Sequence, residues 1–246
     1  HTFGSGPPAA LIHVNRPEFW RMLMRGSRGL AESYAAGAWD SPDLVAVIRL
    51  AARNAVLIDR VRTYTAPLWT PRQRLRSALN RSTRHRSRRD IAFHYDIGND
   101  LYTRMLDPRM VYTCGYWRDA KTLAEAQEAK LDLVARKVGL APGMRVLDLG
   151  CGWGGFASWA AEKYGCTVTG VTLSKDQVSL GSELWKHLPV KLELKDYRDV
   201  RGQFDRVVSI GMMEHVGPKN YRDMLEVVDR CLKPDGVALI HTIANN

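Results

Sequence analysis

No apolar run in the sequence approaches the roughly 20 residues a membrane-spanning helix requires, so nothing in it reads as an α-helical span. There is no Cys-x-x-Cys pair, and the four cysteines, Cys114, Cys151, Cys166 and Cys231, lack metal-ligand spacing. This argues against a metal site and for a reducing, cytoplasmic compartment without structural disulfides. Acidic residues are in deficit: 36 Lys and Arg stand against 26 Asp and Glu, a net charge of +10. Such a balance points to a polyanionic partner, and nucleic acid and an anionic membrane surface both fit it. Aromatic residues are absent from the most basic stretch, Arg72 to Arg89, which ends Arg84-His-Arg-Ser-Arg-Arg89. Without rings on which bases could stack, that stretch is a poor binder of single-stranded nucleic acid. Beside anionic lipid each such residue gains about 1 kcal/mol. The plainer reading of a charge run is a solvated connector.

What is present centres on Val146-Leu-Asp-Leu-Gly-Cys-Gly-Trp-Gly-Gly155, an apolar strand pattern stopped by a glycine-rich turn and followed by a helical pattern from Phe156 to Lys163. Gly150 and Gly152 can take positive φ and let a ligand lie against the backbone, while Gly155 lets the helix approach the strand. Asp148 and Gly154 complete the spacing Asp-x-Gly-x-Gly-x-Gly. A carboxylate at the strand end repels a pyrophosphate but attracts the cationic amine or sulfonium of S-adenosylmethionine.

The 246 residues divide by pattern into a small N-terminal α+β unit over 1–71, a basic linker over 72–90 and a larger α/β unit over 91–246. In the first, Ala10 to Val14 reads as a strand, and Phe19, Met22 and Leu23 share a helix face that breaks at Gly26. A second helix is expected with Ser41 as N-cap, Pro42 in its first turn and a stripe of Leu44, Val45, Ile48 and Ala51. In the third, Thr122 and Glu125 form a capping box for a helix through Ala126, Ala129, Leu133 and Val134 that closes near Gly139. Strands are then expected over 166–173, 190–195, 204–211 and 236–243, with helices over 174–188 and 219–232 between them. This alternation predicts a parallel Rossmann-like sheet covered on both faces, with ligands outside the carboxyl ends of its strands. Those ends carry Asp148, Thr172, Asp196, Glu214 and His241. Taken singly, His241 reads as a structural histidine, Cys114 as a small buried hydrophobe and Trp153 as packing.

Seven segments recur in order: His94-Tyr-Asp-Ile-Gly-Asn-Asp100, Tyr112-Thr-Cys-Gly-Tyr-Trp117, Leu149-Gly-Cys-Gly-Trp-Gly-Gly155, Gly170-Val-Thr-Leu-Ser-Lys-Asp-Gln177, Asp196-Tyr-Arg-Asp199, Gly211-Met-Met-Glu-His-Val-Gly217 and His241-Thr-Ile243. Together they resemble the cyclopropane-fatty-acyl-phospholipid synthase family, lipid methyltransferases related to mycolic acid cyclopropane synthases, and the likeness runs from about Ala10 to the end. The resemblance implies a class I methyltransferase fold with S-adenosylmethionine held by Tyr112, Thr113, Asp148, Gly150, Gly152, Gly154, Gly155, Thr172, Gln177, Asp196 and Tyr197. It also implies a bicarbonate ion acting as base, contacted by Cys114, Glu214, His241 and the backbone of Ile243. Chains of that family continue beyond His-Thr-Ile, where further helices cover the lipid and a tyrosine completes the ion site. The implied substrate is an unsaturated phospholipid at an anionic membrane surface, reached by a peripherally bound protein. A homo-oligomer is compatible with this reading, and nucleic acid is not part of it. The alternatives are a related methyltransferase making a methylene- or methyl-branched acyl chain, with a separate reductase as partner, and a basic nucleic-acid-binding protein.

Overall fold

The structure, a computed structural model, describes residues 7–57 and 98–243. The chain divides into two compact units, His1–Asn80 and Arg81–Asn246, with the boundary inside the stretch read as a linker. The Arg72 to Arg89 run and His94 to Ile97 lie outside the described residues.

The first unit pairs β1 (His13–Val14) antiparallel with β2 (Trp39–Asp40) and adds helices α1 (Glu18–Leu23), α2 (Ser27–Ala35) and α3 (Leu44–Arg53). Its core gathers Phe19, Ala38, Trp39 and Val47. The Trp39 indole N–H donates to the Leu30 carbonyl (3.1 Å) and the Ser33 hydroxyl (3.0 Å), which satisfies its polar edge. Helix α2 was not expected. It starts directly after Gly26, whose φ of +72° does break the preceding helix. It packs through Gly29, where a Cβ would stand 1.8 Å from the Met22 carbonyl oxygen, with Leu30 beside it against the core, so its contact face carries little apolar signal. Helix α3 also differs from expectation. Asp43, not Ser41, is its N-cap and accepts from the Ala46 N–H at 2.9 Å, while Ser41 accepts from the Asp43 N–H one step earlier. Val47 faces inward, whereas Val45 and Ile48 are 62% and 61% exposed.

The second unit contains α4 (Asn99–Met105), α5 (Leu123–Val138), β3 (Arg145–Leu149), α6 (Gly155–Tyr164), β4 (Thr167–Thr172), α7 (Lys175–Leu184), β5 (Val190–Leu194), β6 (Phe204–Ile210), α8 (Met213–Val216), α9 (Tyr221–Cys231) and β7 (Leu232–His241). The strands form one sheet in the order β5-β4-β3-β6-β7, parallel throughout. The expected α/β fold is therefore present. The caps follow the sequence: Thr122 and Glu125 make the capping box, Gly139 closes α5 in the left-handed region, and Ser174 accepts from the Gln177 N–H. Helix α7 stops at Leu184 rather than 188, where the Trp185 indole turns in to donate to the Trp153 carbonyl (2.8 Å). Pro218–Asn220 forms a 3-10 turn, so α9 begins at Tyr221 rather than Lys219. Between β6 and β7 the register jumps from Phe204 opposite Leu232 to Arg206 opposite Val237. Residues 233–236 bulge out, and the continuous ladder starts where the sequence placed the strand.

Strand alternation divides the core. Val146, Val168 and Val208 face α5 and α6, and Leu147, Leu149, Val171 and Val207 pack with α9 on the other side. Each such aliphatic side chain gains about 1.5–3 kcal/mol on full burial. Asp148, two residues from Val146, falls on the α5 side. The strand order reverses between β3 and β6, so the crevice beyond Leu149 and Ile210 is the topological switch point at which such sheets bind ligands.

Candidate active site

The glycine turn forms the floor of that crevice. The N–H groups of Gly150 and Cys151 both donate to the Val171 carbonyl, at 3.0 and 3.1 Å, and so anchor the turn to β4. Gly152 has φ +56°, and the position of its missing Cβ is open space. Gly155 serves a different contact from the one expected. A Cβ there would stand 2.6 Å from the Arg109 carbonyl oxygen and 2.7 Å from the Val111 side chain, so it admits the 109–111 loop rather than the strand. That loop includes Met110, a non-glycine residue at φ +56°. Such strain persists only where the surroundings hold it.

Two adjoining cavities share Gly150, Gly152, Gln177, Gly211 and His215. One extends to Thr172, Lys195, Tyr197 and Arg198. The Thr172 hydroxyl donates to the Gln177 side-chain oxygen at 2.6 Å and accepts from the Ser174 N–H, so the two polar groups are fixed as a pair. Burial pushes the Tyr197 hydroxyl up, with the adjacent Arg198 guanidinium opposing. Asp196 lies behind this wall, 1% exposed. Its carboxylate accepts from Arg198 Nε (2.8 Å) and Nη2 (2.7 Å), so it holds the arginine that lines the cavity. Gly154 likewise lies off both cavities.

The second cavity reaches Tyr112, Thr113 and Asp148. Asp148 is 2% exposed, and burial pushes its carboxyl up to about 7 against the pull of the Lys130 ammonium. The same effect pushes Lys130 down to about 8, with Cys114, Asp107 and Asp148 nearby acting in the opposite direction. Helix α5 braces the lining from behind: the Gln127 amide donates to the Thr113 carbonyl (2.7 Å) and the Val111 carbonyl (3.3 Å), and Lys130 Nζ donates to the Thr113 hydroxyl (2.5 Å). Trp153 both packs and lines the second cavity. It is buried against Tyr102 at a ring distance of 4.9 Å, and its indole N–H donates to Asn99 (2.9 Å).

Beyond Thr113 stands a smaller polar cluster. Cys114 Sγ lies 3.7 Å from His241 Nε2, and Glu214 accepts from the Ile243 N–H at 2.8 Å. His241 Nδ1 is buried with no hydrogen-bond partner among the described residues. Burial pushes His241 down, the Lys130 ammonium adds to this, and Glu214 opposes both. The four residues expected at an ion site are therefore near one another: Glu214 on α8 after β6, His241 and Ile243 at the end of β7, and Cys114 on the loop beside them. An orphaned ring nitrogen and a thiol beside a carboxylate acceptor suit a small oxyanion that carries a hydrogen. The larger crevice, with a bare turn, paired hydroxyl and amide groups and a buried acid, suits the S-adenosylmethionine expected there.

A family model described as mycolic acid cyclopropane synthetase matches residues 82–246, more than half of the chain. The chain belongs to this family. It is 45% identical over 250 aligned residues to the cyclopropane-fatty-acyl-phospholipid synthase of Escherichia coli (strain K12), covering 98% of this chain and 62% of that protein. This member of the mycolic acid cyclopropane synthetase family thus spans less than two thirds of that relative. Among solved structures, the cyclopropane synthase MmaA2 from Mycobacterium tuberculosis matches with a TM-score of 0.61 and 38% identity, over 63% of this chain and 56% of that one. The mycolic acid cyclopropane synthase CmaA1 complexed with SAH and CTAB matches with a TM-score of 0.60 and 40% identity, over 62% and 55%.

Sequence reading missed Gln127, Lys130, Arg198 and His215. Gln127 and Lys130 sit on the inner stripe of α5 with Leu131, Val134 and Val138. An apolar-only pattern turns that stripe by about one residue and leaves the two polar groups outside. Their i, i+3 spacing before Leu131 and Val134 was the available signal.

Proposed function

We propose that the protein transfers a methylene unit from S-adenosylmethionine to the cis double bond of unsaturated phospholipid acyl chains, forming a cyclopropane ring. The observation that carries this is the juxtaposition, through Thr113 and Cys114, of the switch-point crevice with the Cys114, Glu214, His241 and Ile243 cluster. The 45% identity to the E. coli synthase supports the phospholipid substrate.

S-adenosylmethionine supplies an electrophilic methyl group on a sulfonium. In this reading Thr172 and Gln177 face the ribose, Tyr197 stands beside the adenine, and Asp148 offers a carboxylate to the cationic portion. A cis alkene is a weak nucleophile, so the cavity must hold it in line with the methyl and away from water. As one alkene carbon takes the methyl, the methyl–sulfur bond breaks and S-adenosylhomocysteine leaves as a neutral thioether; the neighbouring carbon is left cationic, and removing a proton from the added methyl closes the ring. Cys114, His241, Glu214 and the backbone of Ile243 would hold the proton acceptor, an oxyanion of the bicarbonate type. Cys114 needs no covalent role, because the reaction has no acyl or alkyl enzyme intermediate.

Among the described residues no helix is long and apolar enough to cross a membrane. Peripheral attachment through the basic run gives access to lipid in this reading. The test is incubation of the intact protein with unsaturated phospholipid and methyl-labelled S-adenosylmethionine. Label should enter the acyl chains, and label that stays out of lipid overturns the proposal.

A further inference from the structure

Lys130 is a cation where a hydrocarbon would be expected. It lies on the inner stripe of α5, 3% exposed, between Gln127 and Leu131 in the packing order of that face. A methionine would fill the same channel with the same unbranched stem and no charge to desolvate, and buried charges are retained at a cost unless they are paired. Helix geometry puts Gln127 and Lys130 on one face, three residues apart. Gln127 grips the backbone of the 111–113 segment, and Lys130 grips its Thr113 side chain at 2.5 Å. That segment serves both sites at once, since Thr113 lines the cavity and Cys114, the next residue, meets His241.

The groups within electrostatic reach of the ammonium come from three elements: Asp107 and Cys114 on the loop, Asp148 on β3 and His241 on β7. His241 itself faces Lys130 and Lys137 from α5, Glu214 from α8 and Cys114 from the loop. The cation therefore lies behind both half-sites and touches neither cavity as a lining residue.

We infer that Lys130 is a positioning residue that ties the two half-sites together: it fixes the Thr113 hydroxyl at the cofactor cavity and sets the positive potential that lets the Cys114 and His241 cluster accept an oxyanion. This rests on the proposed function for the identity of the anion, bicarbonate, but not for the electrostatics. A fixed positive charge in a site of low dielectric attracts a monoanion and opposes a second positive charge on the neighbouring imidazole.

Two variants separate charge from packing. Lys130→Met keeps the stem and removes both the charge and the donor, and Lys130→Gln keeps a donor and removes the charge. In both, circular dichroism should show an intact fold. The titration midpoint of the His241 ring proton, followed by NMR in the intact protein, should rise relative to wild type. The bicarbonate concentration for half-maximal activity should rise by about tenfold, the scale of one unit of differential interaction. A purely structural lysine would leave the histidine midpoint in place, and an unmoved midpoint in both variants overturns the inference. So does a raised midpoint with an unchanged bicarbonate requirement. If wild type proves independent of bicarbonate, the proposed ion is wrong, and the histidine readout alone then decides whether Lys130 sets the potential.

Discussion

Glu214 accepts a hydrogen bond from the backbone N–H of Ile243 at 2.8 Å, closing the end of β7 onto the start of α8. Burial would raise the Glu214 carboxyl, but hydrogen bonds from the Ile243 N–H, its own N–H and Thr242 outweigh this and hold it below the usual range. It is therefore an acceptor at neutral pH. An oxyanion entering beside it must present a hydrogen, which bicarbonate can do and carbonate cannot.

Activity should accordingly depend on bicarbonate. The intact protein in carbon-dioxide-free buffer should lose turnover and regain it when bicarbonate returns. Glu214→Gln, which turns an acceptor into a partial donor, should raise the requirement by about tenfold. Full turnover without the ion would contradict the assignment.

Under the proposed function Gly152 lies at the contact surface of the cofactor. Its φ of +56° and the open space beside it mean that Gly152→Ala places a methyl in the cavity and adds about 1–2 kcal/mol of backbone strain. S-adenosylmethionine affinity should fall by about tenfold or more in a folded variant. Unchanged affinity by calorimetry would remove the turn from the site.

The buried acid gives a pH signature. Asp148 in the folded chain titrates at about 7, above its ordinary value of 3.8, so its contribution to stability is full below the lower value and lost as pH rises through the upper. A bound cation gains from the ionised form, so affinity should increase from about pH 6 to about pH 8 and then level off. Asp148→Asn should flatten that profile. A wild-type affinity that is flat or falls over this interval would mean Asp148 does not face the cation.

Much of this was legible in the chain. Capping residues Thr122, Ser174 and Gly139 act locally, so the ends they set were readable, and the strand-turn-helix at Asp148 to Gly155 was fixed by residues adjacent in sequence. The groups that escaped depend on tertiary contact. Helix α2 packs through a missing side chain at Gly29, α7 ends because Trp185 finds the Trp153 carbonyl, and Asp196 turns to Arg198 instead of lining the cavity. Lys130 was hidden because a buried lysine looks in sequence like a solvated one.

Membrane attachment should be electrostatic. The Arg72 to Arg89 run and the net charge of +10 predict cosedimentation with anionic vesicles that weakens with salt, as the screening length shrinks to about 3 Å at 1 M. Equal binding to neutral and anionic vesicles would defeat this.

Which product forms is decided when the proton leaves, since loss from the added methyl closes a ring and loss from a neighbouring carbon leaves a methylene branch. The two lipids are isomers, so mass cannot separate them. Proton NMR of the lipid made by the intact enzyme can, because ring methylene protons are strongly shielded and vinylidene protons are not. The proposed role of Cys114, His241 and Glu214 in holding one proton acceptor predicts shielded ring signals. Vinylidene signals without them would contradict cyclopropanation and leave a branching methyltransferase in its place.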